Sequence, residues 1–259
     1  MAAEPDSGPG LVTTIRDWWK QSYGRDGFFP TSRRFVSKLW EFVRESTPAR
    51  RRQRYGDVEY DWDFRVDTTC ATVGWRDRLL GMFHSPYQPT EPTLFREMLA
   101  SLTQAAPMLS SAKTDFREFT FIDVGSGKGR AVLMAAEYPF RRILGIELLP
   151  ELHWVAKENI AKYKSDSQQC FAIDCLLGDA CEFVFPAEPT VLYLFNPLPE
   201  SGLVRVIRNL EDSLREHRRP VFVLYHTPLL EHVLTRSTAF RRILRTPQFS
   251  VFASNGAAS

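Results

Sequence analysis

One decapeptide constrains the fold of this chain more than any other: Phe121-Ile-Asp-Val-Gly-Ser-Gly-Lys-Gly-Arg130. A short apolar strand enters it, three glycines turn it, and a helical pattern leaves it. Without side chains, backbone at those glycines can approach a ligand that other residues would hold off. A strand, a glycine turn and a helix together open a nucleotide-binding α/β layer, with the ligand held beyond the strand end. The spacing then discriminates between ligands. A dinucleotide fingerprint G-x-G-x-x-G needs glycine or alanine at position 130, where this chain has Arg130, and the third glycine comes one place early, at Gly129. A P-loop needs Gly-Lys-Ser/Thr, and here Lys128 is followed by Gly129. Asp123 stands just before the turn. Its carboxylate would repel a diphosphate but accept a hydrogen bond from a ligand ammonium. The pattern therefore favours S-adenosylmethionine over NAD.

Strand-like and helical segments alternate around this turn. Phe119 to Val124, Arg142 to Glu147, Phe171 to Leu177, Thr190 to Phe195 and Pro220 to Tyr225 read as strands. Ala131 to Glu137, Pro150 to Tyr163 and Leu203 to Arg215 read as helices between them, with Pro150 suited to a first helical turn. Phe240 to Leu244 and Phe249 to Ala253 read as a terminal antiparallel hairpin. The alternation predicts an α/β fold: a Rossmann-like, mostly parallel seven-stranded sheet with helices on both faces. Upstream, Ile15 to Lys20 and Ser32 to Arg44 carry apolar residues at helical spacing, giving a helical N-terminal extension, and Thr93 to Leu102 reads as a further helix. Tyr55 to Phe64 fits neither period and is expected to be a loop or cap, while the prolines of Ser85 to Pro92 hold that stretch extended or in turns. The expected domains are a disordered tail over 1–10, an extension over 11–92 and a cofactor-binding domain over 93–259.

Ligands of open parallel sheets bind beyond the carboxyl ends of the strands, so residues there are the candidate site. Glu147 closes the second strand, placed to accept both ribose hydroxyls, with Leu148 and Leu149 beside the adenine. Asp179 and Ala180 follow the third strand, where a carboxylate and a backbone N–H suit an adenine edge; Asp179 equally suits a helix N-cap. Asn196-Pro-Leu-Pro199 ends the fourth strand in a rigid turn, offering Asn196 Oδ1 and the Pro197 carbonyl as acceptors for an amine nucleophile. Tyr225 and His226 border the same end of the fifth strand, and a histidine there is either a base or a structural hydrogen-bonder. Tyr60, Asp61, Trp62, Asp63 and Asp67 could line a lid for a cationic substrate, or simply pack.

Together the glycine turn, Glu147, Asp179 and Asn196 resemble the motifs of class I S-adenosylmethionine-dependent methyltransferases, from about Tyr87 to Thr227. The resemblance implies that Asp123, Gly125, Ser126, Gly127, Gly129, Glu147, Leu148, Asp179, Ala180 and Asn196 bind the cofactor. It implies a catalytic place for Asn196 and Pro197. In amine-methylating members the fourth motif is Asp/Asn-Pro-Pro-aromatic; Leu198 and Pro199 replace its last two residues here, removing the ring on which a flipped base stacks. The Phe121 to Gly129 stretch and the upstream Tyr87-x-x-Thr90 also look like the non-SET protein-lysine methyltransferases. That similarity implies that Thr90 belongs to a segment folding over the cofactor. The acceptor is then an amine of a protein lysine or a small molecule. RNA methylation and cofactor binding without catalysis are the alternatives.

Charge and cysteines add bounds. The formal net charge is only +2, but Leu11 to Arg54 holds eleven Lys/Arg against four Asp/Glu. Arg50, Arg51, Arg52 and Arg54 are a solvated run or a nucleic-acid contact, the latter not favoured. Cys70, Cys170, Cys175 and Cys181 form no C-x-x-C pair or zinc-ligand spacing, so free thiols in a reducing, cytoplasmic compartment and no metal are expected. No apolar run approaches membrane-spanning length.

Overall fold

In the computed structural model the described residues are Ser32, 58–69, 89–105 and 115–255. The chain divides into two compact units, Met1–Val58 with Thr69–Gln88, and Glu59–Thr68 with Pro89–Ser259. The second unit holds nearly all the described residues. Of the expected features, Ile15 to Lys20, most of Ser32 to Arg44, the arginine run, Cys70 and Tyr87 lie outside them.

Seven strands form one sheet: β1 (Thr120–Val124), β2 (Arg142–Glu147), β3 (Ile173–Leu177), β4 (Thr190–Leu194), β5 (Val221–His226), β6 (Phe240–Arg245) and β7 (Phe249–Ser254). Their order is β3-β2-β1-β4-β5-β7-β6. Strands β1 to β5 run parallel, and β7 lies antiparallel between β5 and β6. Every residue of β1, β4, β5 and β7 is buried, as strands covered on both faces require. The helices are α1 (Val58–Phe64), α2 (Pro92–Ala105), α3 (Arg130–Ala135), α4 (Pro150–Lys162), α5 (Glu200–Glu216) and α6 (Glu231–Thr235).

Alternation along the strands sorts the core into two layers. Phe121, Val191, Tyr193, Phe222, Leu224 and Val251 pack with Phe95, Met98, Leu99 and Leu102 of α2 and with Ala156 of α4. Ile122, Leu192, Leu194, Val223, Tyr225 and Phe252 pack on the other face with Leu203, Val206, Ile207 and Leu210 of α5. The apolar positions of α5 recur at three- and four-residue steps, so one stripe faces the sheet. One edge strand, β6, exposes Arg241, Arg242 and Arg245 and is bulged between Arg242 and Leu244, devices that blunt an open edge.

Several expected boundaries shift by a residue or two. Strand β3 begins at Ile173 because Phe171, 78% exposed, lies outside it. The short helix α6 has too little periodicity to stand out in the sequence.

The larger correction is α1, where a loop or cap was expected at Tyr55 to Phe64. Tyr60 and Phe64 are one helical turn apart and pack as tilted rings with centres 4.7 Å apart, and Phe64 packs in a tilted pair with Tyr163 at 5.3 Å. Arg130, only 2% exposed, lies with its guanidinium carbon 4.9 Å from the Tyr60 ring centre. It donates from Nε to Thr68 Oγ1 at 2.7 Å and from Nη2 to Asp61 Oδ1 at 3.2 Å. The Asp61 carboxylate also receives the Thr68 N–H at 2.8 Å and the Thr68 hydroxyl. Lys128 Nζ meets Asp67 Oδ1 at 2.6 Å. Asn159 grips Asp67 both ways, donating to its carbonyl and accepting its N–H, each at 2.8 Å. Asp61 and Asp67 are thus committed to Arg130 and Lys128, and Tyr60 is buried, so these three do not line a substrate lid. Trp62, 82% exposed, and Asp63 face outward.

Asp61 accepts from both Thr68 and Arg130, and a buried donor left unsatisfied costs about 1–3 kcal/mol. Asp61→Ala is expected to lose stability on that scale in urea unfolding.

Candidate functional site at the carboxyl ends of the strands

The glycine turn joins β1 to α3 through three left-handed backbone conformations, at Gly125 (φ +72°), Gly127 (φ +55°) and Gly129 (φ +86°). Space also demands glycine at 125, since a Cβ there would lie 2.6 Å from Pro197 Cβ. The turn therefore lies directly against the loop after β4. Gly145 of β2 is a second contact of this kind: a Cβ there would meet Cys175 Sγ at 2.6 Å and Ser126 Oγ at 2.7 Å. The turn is held by backbone, with Gly125 and Ser126 N–H both donating to the Ile146 carbonyl at 2.8 and 3.0 Å.

Glu147 supplies the one side chain that ties this turn to the end of β2. Its Oε2 accepts the Gly127 N–H at 2.7 Å and its Oε1 accepts the Leu149 N–H at 2.8 Å. Each carboxylate oxygen retains a further lone pair. Burial raises the Glu147 pKa, and the Leu149, Gly127 and Leu148 amides counter it. Its own carbonyl receives the Gly178 N–H at 2.9 Å, which brings the end of β3 alongside.

Asp123 is buried on the same sheet face. No hydrogen bond to its carboxyl occurs among the described residues. Burial first, and the neighbouring Glu147 charge second, push its pKa up to about 8. Tyr193 of β4 is its partner in register. The Tyr193 hydroxyl shares a hydrogen bond of 2.7 Å with Thr90 Oγ1 and one of 3.0 Å with His226 Nδ1. His226 stacks on Phe195 with ring centres 3.8 Å apart, and burial lowers its pKa to about 4.

The structure thus brings together Thr90, Asp123, Gly125, Ser126, Gly127, Glu147 and Pro197. Gly129 caps α3 and donates its N–H to the Ser126 carbonyl at 2.8 Å. Leu148 and Leu149 are half-buried beside Glu147. Asp179 accepts the Cys181 N–H at 2.8 Å, capping the turn Ala180–Glu182, so the N-cap role is the one its geometry displays. Asn196 adopts φ +44°. Its Oδ1 accepts the Tyr225 hydroxyl at 3.1 Å and its Nδ2 donates to the Thr227 carbonyl at 2.7 Å. The expected free acceptor is therefore already engaged, with one lone pair remaining. Sequence reasoning missed Tyr193, Lys128 and Asn159. Lys128 carried a signal, a cation in a glycine turn with no phosphate to hold, but Tyr193 reads as one more apolar strand residue. Cys170, Cys175 and Cys181 are free and buried. Among the described residues no cluster of metal-ligating side chains occurs, and no helix is long and apolar enough to cross a membrane.

The seven-stranded order, with a single antiparallel strand inserted between β5 and β6, completes the architecture that the motifs implied. The fold is the Rossmann-like, mostly parallel seven-stranded α/β sheet expected from the sequence. Solved structures similar to the chain include a ribosomal protein L11 methylase from Lactobacillus delbrueckii subsp. bulgaricus, at 21% identity over 61% of this chain and 79% of that one, with a TM-score of 0.40. An RNA methyltransferase from Salinibacter ruber, in complex with S-adenosyl-L-homocysteine, matches at 20% identity over 65% and 94% of the two chains, TM-score 0.37. The putative methyltransferase yhhF of Escherichia coli matches at 16% identity over 66% and 90%, TM-score 0.45. No protein-family model matches the chain, and no curated protein matches its sequence. Similarity this distant carries no argument, so fold, ligand and chemistry must come from the chain's own residues.

The raised Asp123 pKa makes stability depend on pH with a definite sign. Its folded value of about 8 exceeds the ordinary 3.8, so the folded state favours the protonated acid. The stability this gives is complete below pH 4 and is lost as pH rises through 8, each tenfold difference in acidity between the folded and unfolded chain being worth about 1.4 kcal/mol. Asp123→Asn, which cannot ionise, is expected to melt higher than the native protein at pH 9. The difference should vanish near pH 4.

Proposed function

We propose that this chain is an S-adenosylmethionine-dependent methyltransferase acting on an amine, either a protein lysine or an amine of a small molecule, in the cytoplasm. The observation that carries it is Asp123, a buried carboxyl without a hydrogen-bond donor among the described residues, beside a glycine turn whose backbone a ligand can approach closely. A ligand ammonium supplies the missing donor and the opposite charge. A dinucleotide does neither, because its diphosphate would meet Asp123 and Glu147 at short range.

Under this reading Asp123 holds the amino-acid end of the cofactor and Glu147 accepts from its ribose with the lone pairs left over by Gly127 and Leu149. Leu148 and the Asp179-Ala180 corner bound the adenine. The turn of Gly125, Ser126, Gly127 and Gly129 admits the ligand backbone-close, and Thr90 closes over it from the start of α2. S-adenosylmethionine supplies a methyl group on a positive sulfur: the acceptor nitrogen's lone pair forms the new bond, and the old bond's electrons remain on sulfur as a neutral thioether. The protein's own contribution is orientation and exclusion of water, with Asn196 and Pro197 placed where the nucleophile arrives. The acceptor must arrive as a neutral amine, and its surplus proton leaves to water after transfer.

Isothermal titration with S-adenosylmethionine, S-adenosylhomocysteine and NAD tests the cofactor; binding of NAD alone would overturn the reading. Labelled methyl transfer to a cell extract treated with protease or ribonuclease then separates acceptors, and label lost only to ribonuclease would transfer the assignment to RNA. Glu147→Ala is expected to weaken cofactor binding by about 1–3 kcal/mol, the cost of leaving buried partners unpaired. Unchanged affinity would place the ribose elsewhere.

Affinity should also depend on pH in a defined way. Below about 8 the free protein holds a proton on Asp123 that an ammonium must displace. Affinity is therefore expected to rise from pH 6 towards 8, and to fall above it as the ligand's own amine deprotonates. Asp123→Asn should abolish the rise, which titration in buffers of different ionisation enthalpy will show as lost proton release.

A further inference from the structure

We infer that Phe195 and His226 form the shelf on which the acceptor amine is oriented, with His226 Nε2 accepting a hydrogen bond from that amine. The inference rests on the methyltransferase reading and names the groups that meet its nucleophile.

Position comes first. Phe195 follows the last residue of β4, and His226 is the last residue of β5, which pairs with β4 in parallel. Their rings stack with centres 3.8 Å apart and planes 27° apart. Asn196 is the next residue along, and its side chain closes onto the Thr227 carbonyl at 2.7 Å. The stacked pair and the proposed Asn196-Pro197 corner therefore occupy the same two strand ends.

Orientation comes second. His226 Nδ1 is engaged by the Tyr193 hydroxyl at 3.0 Å, and that hydroxyl by Thr90 Oγ1 at 2.7 Å. The chain reaches from the start of α2 through β4 to β5 and fixes the imidazole plane. A tyrosine in the middle of a buried strand costs a polar atom that phenylalanine would not, so its hydroxyl needs partners at both ends. The other nitrogen, Nε2, makes no hydrogen bond among the described residues, and it is not among the buried atoms left without a partner. It is the one polar atom of this chain of groups that stays open. With Nδ1–H donating to Tyr193, and Tyr193 donating to Thr90, Nε2 presents a lone pair.

Chemistry comes third. Burial keeps the imidazole uncharged at working pH, so it adds no positive charge beside a sulfonium. A histidine so weakly basic does not hold a proton; it aligns an N–H and leaves the nitrogen lone pair directed at the methyl group. The shelf also answers the altered fourth motif. Pro199 stands where the fourth motif of the amine-methylating enzymes that this chain resembles carries an aromatic residue, and Phe195 supplies a ring one residue before Asn196 instead. Thr90 and Tyr193 are positioning residues, acting through His226.

Sinefungin tests this without knowledge of the acceptor, because it carries an amine where S-adenosylmethionine carries its methylated sulfur. The native protein is expected to bind sinefungin about tenfold more tightly than S-adenosylhomocysteine, the worth of one charge-assisted hydrogen bond. His226→Phe keeps the stack and should lose that preference while binding S-adenosylhomocysteine unchanged. His226→Gln, whose amide oxygen can accept, should restore most of it, which a merely structural histidine would not allow. Tyr193→Phe leaves His226 in place and should reduce the preference; it decides the matter if His226→Phe does not fold. A preference unaltered in His226→Phe, or in Tyr193→Phe in its absence, would overturn the shelf alone. Failure of the native protein to bind either ligand would overturn the cofactor reading, and the shelf with it.

Discussion

The carboxylate of Glu147 is the constraint on which the site depends. By accepting Gly127 on one oxygen and Leu149 on the other, it joins the turn after β1 to the turn after β2. Buried amide donors require partners, and here two separate turns find theirs on a single side chain. The position of everything that follows is set by that junction. Gly125 lies against Pro197, and the loop after β4 is thereby located from the turn after β1. Burial first, and this same Glu147 charge second, raise the pKa of Asp123.

A second device holds the same turn from outside. Lys128 and Arg130, the two cations within and just after the glycines, are both buried, and both answer to acids of the segment Asp61 to Thr68. Neither cation serves a phosphate. Asn159 of α4 completes the clamp by binding the Asp67 backbone in both directions and the Lys128 carbonyl. An ordinary glycine-rich turn leaves its helix start open for a diphosphate. Here the two cations beside that start are paired with protein carboxylates.

The fold was legible because its signals are local and periodic. Strand and helix alternation, the glycine spacing and the terminal hairpin each occupy a short window, and each reappears within a residue or two in the sheet. The helix α1 was not legible. Its seven residues hold only two aromatic positions on one face, and what makes them helical is Tyr163 and Arg130, distant in sequence. The candidate site divides in the same way. Asp123 and Glu147 announce themselves by their place after a strand, whereas Tyr193 gains its meaning only when β1 and β4 pair and bring it beside Asp123. Asn196 shows the reverse case: its type and place suggested an open acceptor, and Tyr225, a buried strand residue, takes one of that oxygen's two lone pairs.

These buried polar groups oppose one another energetically, and the opposition has a direction. Asp123 prefers to be neutral in the fold and His226 likewise, so burial moves their pKa values in opposite directions, up for the acid and down for the base. His226 contributes stability above pH 6.5 that is lost as pH falls through about 4, while Asp123 loses its contribution as pH rises through about 8. The two limits enclose the neutral range, where both groups are uncharged and the fold carries no unpaired buried charge at this end of the sheet. A cationic ligand changes only one of them. It ionises Asp123, whose carboxylate it then pairs, and leaves His226 neutral beside it. Charge at the site therefore arrives with the ligand that compensates it, and the burial that makes Asp123 unfavourable alone makes its pairing strong.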